Sequence, residues 1–241
     1  DQPEWASLPV APRLMTYGLK AGDVRAEDIA FDATGSSWML SMGEQSAPVR
    51  LPLVGDFNVI NALGAACAAL SLGIPLRALA HSLALIPQIP GRLELIAAQP
   101  PVIRDYAHTP DALVRALAAL RPFVAGKLIL VFGAGGDRDP GKRPIMGAAT
   151  EAGADRVIVT SDNPRTEDPD TIIDDIERGM SLPHERITDR RKAIARAIGI
   201  AEAGDTILLA GKGHETYQVV GTEKHPFDER QVVAEILGLA S

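Results

Sequence analysis

The chain has 241 residues, 46% of them hydrophobic, and sets 24 Lys and Arg against 31 Asp and Glu for a net charge of −7. That length suits two domains with real cores, and the acidic balance argues against nucleic acid or an anionic membrane as partner while leaving room for a local basic pocket. The single cysteine, Cys67, excludes an intrachain disulfide and reads as a packing residue in an alanine-rich stretch. No run reaches the roughly 20 apolar residues of a membrane span, and the start carries no signal-peptide pattern. A cytoplasmic protein is expected. Because it opens on Asp1 and not Met, it is expected to be processed, trimmed or a fragment.

Residues 1 to about 50 read as β-rich. Leu14 to Gly18 and Ile29 to Ala33 alternate weakly, and Ser37 to Ser41 pairs with Val49 to Leu53 around a Gly43-Glu44 turn. A helix is expected from about Asn58 to Leu72, stopping at Gly73, and a second from Pro75 to about Ile86. Pro87 to Arg92, with two prolines and a glycine, is the best linker. Domains are therefore expected at 1–89 and 90–241.

From Leu93 onward strands and helices alternate. Short apolar runs at 102–104, 128–132, 157–160 and 207–210 read as parallel strands of an α/β sheet. Thr109-Pro110, Asp168-Pro169, Asp189 and Asp228 supply helix starts. The fold class expected is α/β: a Rossmann-like doubly wound domain, preceded by a β-rich, two-helix segment that looks like the tail of a larger domain.

Each of those strands runs into a dense polar loop, and in open α/β sheets ligands bind outside the carboxyl ends of strands. Gly136-x-x-x-x-Gly141-Lys142 matches most of a phosphate-binding loop, but Arg143 stands where Ser or Thr should hold magnesium, and Asp137 and Asp139 would repel phosphate. Presentation of Arg138, Lys142 and Arg143 to a carboxylate fits better. In Asp162-Asn163-Pro164-Arg165 the proline stiffens the loop and directs Arg165, whose guanidinium suits a carboxylate, while Asn163 can donate and accept toward a zwitterion. Gly211-Lys212-Gly213-His214-Glu215 places two glycines where backbone must approach a ligand. Glu215 can accept from an ammonium group, and His214 suits positioning better than metal ligation. His108 and Tyr106 offer flat faces to a ring. Taken singly, each loop is also compatible with a solvated turn.

Their order is more telling. Gly55-Asp56-Phe57-Asn58-Val59-Ile60-Asn61-Ala62, Pro90-Gly91-Arg92-Leu93-Glu94, Asp105-Tyr106-Ala107-His108-Thr109-Pro110, Phe132 to Asp139, Asp162 to Arg165 and Gly211 to Glu215, in this sequence, closely resemble the Mur ligase family. The resemblance covers essentially the whole chain. It implies the end of a central ATPase domain, followed by a C-terminal Rossmann-like domain that brings the incoming amino acid. The implied activity is ATP-dependent amide bond formation through an acyl phosphate in peptidoglycan precursor synthesis, with ATP and Mg2+ as cofactors. The implied partners are meso-2,6-diaminopimelate and the UDP-N-acetylmuramoyl-dipeptide, the protein acting as a monomer. By motif, Asn61, Arg92, Asp105 and His108 resemble nucleotide contacts. Arg143, Asp162, Asn163, Pro164, Arg165, Gly211 and Glu215 resemble the diaminopimelate pocket. The chain carries neither the family's Gly-Lys-Thr loop nor its N-terminal domain, so it alone is expected to be inactive, and no catalytic or metal-binding residue is assigned within it. A lysine-adding Mur ligase and a non-catalytic amino-acid-binding module stay open as alternatives.

Overall fold

The computed structural model describes residues 14–32, 34–151 and 153–239, and falls into two compact units, Asp1–Pro87 and Gln88–Ser241. In the first unit four strands, β1 (Tyr17–Gly18), β2 (Val24–Asp32), β3 (Gly35–Met42) and β4 (Gln45–Leu51), form a sheet in sequential order. β2, β3 and β4 are antiparallel, and Gly43 at φ 59° makes the tight turn between β3 and β4. Strand alternation sends Val24, Ala26, Trp38, Leu40, Ala47, Val49 and Leu51 to one face. There they meet Leu63, Ala66 and Leu70 of α1 (Asp56–Ser71) and Leu79 and Leu83 of α2 (Leu76–Ala84). Cys67 is buried in this core, and burial pushes its thiol up from its ordinary value. Of the expected strand 14–18 only Tyr17–Gly18 pairs. Ala33, at the end of the expected strand 29–33, lies outside the described residues.

The second unit is built on a six-stranded sheet ordered β5 (Glu94–Ala98), β6 (Pro101–Asp105), β10 (Thr206–Ala210), β7 (Leu128–Phe132), β8 (Arg156–Val159), β9 (Glu185–Arg186). All neighbours are parallel except β5 with β6. β7 and β10 are buried at every residue, as expected of strands covered on both faces. One face carries Ile129, Val131, Ile158, Ile207 and Leu209 against Ala193, Ile194 and Ala197 of α6 (Arg190–Ile200) and Val232 and Val233 of α7 (Glu229–Leu237). Leu128, Leu130 and Leu208, on the alternate set, are equally buried. α3 (Pro110–Leu120), α4 (Lys142–Glu151) and α5 (Pro169–Glu177) pack side by side as a further layer. This is the doubly wound α/β arrangement expected from the pattern.

The helix starts follow the predicted chemistry. Thr109 accepts from the Ala112 amide, Asp168 from Asp170 and Thr171, Asp189 from Lys192 and Asp228 from Arg230. α6 ends at Ile200. Two features went unpredicted: the antiparallel edge strand β5, and a hairpin of β11 (Tyr217–Val220) with β12 (Glu223–Pro226).

Candidate active site

β10 enters the sheet between β6 and β7, so the loops following these three strands splay apart at their carboxyl ends. Together with the loop after β8 they enclose a cavity of about 430 Å³ lined by residues of all four, from Tyr106 and His108 at one side to Arg165 and Glu215 at the other. Glycines let these loops approach. Gly136 donates its amide to Asn163 O at 2.9 Å, and a Cβ there would sit 1.9 Å from Pro164 O. Gly211, at φ 118°, would meet Asp162 Oδ2 at 2.3 Å with any Cβ. Backbone contact is thus as close as glycine alone permits.

Arg165 is held in an unusual backbone conformation, φ 52°. The β11–β12 hairpin holds it there: its amide donates to Val219 O at 3.1 Å and its carbonyl accepts from the Gly221 amide at 2.6 Å. Its Nη1 donates to Gly136 O at 2.7 Å. Among the described residues it forms no ion pair, so its charge is uncompensated at the cavity wall. Arg138 lines the same cavity, is exposed, and spends one bond on Asp137 O. These two guanidiniums, and the exposed Lys142 ammonium that lines the same cavity, are available to a ligand carboxylate.

Arg143 lines the cavity as expected and also has acidic partners of its own. Its side chain is only 3% exposed, with Nη2 2.8 Å from Glu167 and Nη1 3.0 Å from Asp175. Donating a hydrogen bond to Glu167 raises its pKa, and Arg143 in turn holds the Glu167 carboxyl below its ordinary value. Two carboxylates already answer its charge. Glu167 also accepts from the Asp137 amide, so Arg143 braces the loop that carries Arg138. The sequence could not show this, because Glu167 and Asp175 lie 24 and 32 positions away.

Asp162, Asn163 and Glu215 form the acceptor side. Asp162 is buried, and its Oδ2 has no partner among the described residues. Asn163 Nδ2 donates to Glu215 Oε2 at 2.8 Å, and Asn163 Oδ1 accepts from the Val219 amide at 2.9 Å and from Lys212 Nζ at 3.0 Å. The Asn163 amide is therefore engaged largely within the protein, where the sequence reading had offered it to a zwitterion. Pro164 is buried, and its carbonyl lies against Gly136. Lys212, to which the sequence assigns no role, is at 0% exposure.

Arg92 and Asp105 lie beside the cavity. Arg92 stands 5.5 Å over the Tyr106 ring, which packs edge-on with His108 at 4.6 Å and lies 5.6 Å from His214. His108 Nδ1 is fixed 2.7 Å from Tyr106 O. Together these side chains form a shelf of flat groups. Asp105 accepts from the Leu93 and Ala107 amides, both at 2.8 Å, and burial raises its pKa. Its oxygens brace the loop that carries the shelf. Asn61 is exposed on α1 of the first unit and is not among the cavity residues. Among the described residues no group of three or more His, Cys, Asp or Glu is placed to hold a metal ion.

A cleft at the topological switch point, with cationic, acidic and aromatic walls, is the kind of site that takes a charged small molecule beside a flat ring. Residues 91–213 match the family model described as Mur ligase, glutamate ligase domain. Residues 4–69 match the Mur ligase middle domain. The chain belongs to the Mur ligase family. It is 48% identical over 226 residues to the UDP-N-acetylmuramoyl-L-alanyl-D-glutamate–2,6-diaminopimelate ligase of Thermosynechococcus vestitus, covering 91% of this chain and 46% of that protein. It is 46% identical to the enzyme of that name from Geobacillus kaustophilus, covering 93% and 47%. A solved structure of a ligase of the same name superposes with a TM-score of 0.69 at 40% identity, over 94% of this chain and 48% of that one. A folylpolyglutamate synthase of Mycobacterium tuberculosis, 24% identical over 78% of this chain and 45% of its own, has a TM-score of 0.65 and shares the fold. The chain thus spans about half the length of the curated relatives it matches.

Proposed function

We propose that this chain is the amino-acid-delivering part of an ATP-dependent ligase that joins meso-2,6-diaminopimelate to UDP-N-acetylmuramoyl-L-alanyl-D-glutamate in cytoplasmic peptidoglycan precursor synthesis. The observation that carries the reading is the cavity in which the uncompensated Arg165 and Arg138 face the Asp162–Asn163–Glu215 wall. Diaminopimelate has two carboxylates and two ammonium groups. Lysine lacks one of those carboxylates. The arginines pair the additional carboxylate, and Glu215 accepts from an ammonium group. Lysine, lacking that carboxylate, leaves the charge-assisted pairing with the arginines unmade.

The reaction implied by the family requires an amine to meet an acyl phosphate shielded from water. This chain's contribution is to hold the amine donor at a fixed place and orientation. The residues fit a nucleotide next to that donor: the Arg92, Tyr106 and His108 shelf offers flat faces suited to a purine. ATP with Mg2+ supplies the activated phosphoryl group in the proposed reaction. Asn61, Arg92, Asp105 and His108 are proposed for the nucleotide side, Asp105 through its hold on the loop. Asp162, Asn163, Pro164, Arg165, Gly211 and Glu215 are proposed for the diaminopimelate side, with Arg138 added and Arg143 moved to a bracing role.

Calorimetric titration of the 241-residue chain tests the reading. Meso-diaminopimelate should bind with millimolar-type affinity while L-lysine gives no measurable heat. Equal binding of the two, or of neither, refutes it.

A further inference from the structure

Lys212 is absent from the cavity wall yet completely buried behind it, and it touches two of the groups that form that wall. Its Nζ lies 3.0 Å from Asn163 Oδ1 and 3.3 Å from Glu215 Oε2. Asn163 Nδ2 donates to that same Oε2 at 2.8 Å, closing a triangle, and the Val219 amide adds a second donor to Asn163 Oδ1. Only one orientation of the Asn163 amide satisfies these contacts, since a flipped amide would set its NH2 against two donors. Glu215 Oε2 is consumed by two donors, and its other oxygen makes no hydrogen bond among the described residues.

Burying an amine carries a solvation cost that a methionine of similar shape would avoid. That burial lowers the Lys212 pKa; Asp162 and Glu215 act against this, and Arg190 acts with it. Packing alone does not account for an amine here, whereas orienting two acceptor-bearing side chains does.

We infer that Lys212 is a positioning residue: by fixing the Asn163 amide and one oxygen of Glu215, it leaves the second Glu215 oxygen as the acceptor that selects an ammonium group in the cavity. This rests on reading the cavity as an amino-acid site. Lys212 acts through Glu215 and has no contact with ligand of its own, so its effect is on discrimination and not on general affinity.

The test is a double-mutant cycle on the whole chain, with titrations of meso-diaminopimelate and of pimelate, which has both carboxylates and no amine. Lys212→Met should weaken diaminopimelate binding by about tenfold or more, as expected for losing a charged hydrogen-bonded partner, and pimelate binding by less than about threefold. Glu215→Gln should produce the same loss, and the double variant no more than either alone, because the two groups act as one unit. Additive losses, or a Lys212→Met variant that weakens both ligands equally, would overturn the inference. The side-chain amide resonance of Asn163, recorded without ligand, separates this from the reading of the site. It should be shifted from its wild-type position in Lys212→Met while signals of the sheet stay put. If the wild-type chain fails to bind diaminopimelate, the site reading falls, and an unmoved Asn163 resonance would still refute the positioning role. Should Lys212→Met fail to fold, Lys212→Gln, a neutral donor of shorter reach, is measured in the same way, with intermediate discrimination expected.

Discussion

Two arginines 22 positions apart, Arg143 and Arg165, meet opposite surroundings. Arg143 is enclosed by Glu167 and Asp175, whereas Arg165 reaches the cavity with only carbonyl partners. Arg165→Ala should leave the fold intact and weaken diaminopimelate binding by about tenfold or more, the loss of a charge-assisted contact. Arg143→Ala should instead lower unfolding free energy by about 2–3 kcal/mol, between the values for surface and fully buried pairs, since its partners are half-buried. Titration calorimetry and urea unfolding on the two variants check the contrast; equal losses of stability would show the roles to be misassigned. The residue types were legible in the sequence, and the Asp162 to Arg165 loop was recognised as a unit. The partners were not, because an arginine's role depends on which carboxylates the tertiary fold brings to it.

At the scale of elements, the cavity exists because the loops after β7 and β8 touch through backbone. Gly136→Ala places a methyl 1.9 Å from Pro164 O, in a gap no rotamer change can relieve. The loops must separate, carrying Arg138 away from Arg165. Diaminopimelate binding should fall by at least about tenfold, with Tm changed far less than by a core truncation, as judged by calorimetry and thermal unfolding; retained affinity would show that the two loops are not coupled. The same scale explains what sequence patterning missed. The β11–β12 hairpin has little buried apolar face, so it lacks the alternation that marks a strand. Its function is to pin Arg165 through the Val219 and Gly221 backbone. A buried join is likewise invisible to patterning: the side chains of Arg190 at the start of α6 and Glu229 at the start of α7 are both 0% exposed and 2.7 Å apart, with Arg190 also donating to Ala210 O at 2.9 Å. Charged residues at helix starts read as solvated until the fold stacks those starts together.

For the molecule as a whole, pH dependence follows from carboxylates of the second unit. Burial pushes Glu94 up, but bonds from Arg104, the Gly91 amide and Arg230 outweigh it, and its pKa ends below the ordinary value. Asp155 and Asp205 are likewise lowered, burial being overcome for Asp155 by Arg121 and the Leu128 amide, and for Asp205 by the Glu202 and Lys127 amides. A carboxyl with a depressed folded-state pKa contributes stability that is present above its unfolded value, near 4, and is lost as pH falls through its folded value. Asp105, raised by burial, works in the opposite direction, as protonation relieves it. The net expectation is an acid-labile second unit. Urea unfolding followed by amide exchange should show its stability falling between about pH 5 and pH 2, with a shallower fall in Glu94→Gln. An unchanged slope in that variant would remove Glu94 from the account.

The sequence by itself determined the class of the fold and the ends of the strands where chemistry would collect. Apolar runs, cap residues and glycine-bearing loops are local signals read within a few residues of each other. The six ordered motifs likewise carry the resemblance to the Mur ligase family. Only the tertiary structure decided which cations are paired and which are left open at the cavity. It answered Arg143 with two acids, left Arg165 open, and buried Lys212 behind Glu215. Charge, unlike hydrophobic periodicity, acquires its meaning from partners distant in sequence, and the field at a binding site is the sum of what the fold leaves unpaired.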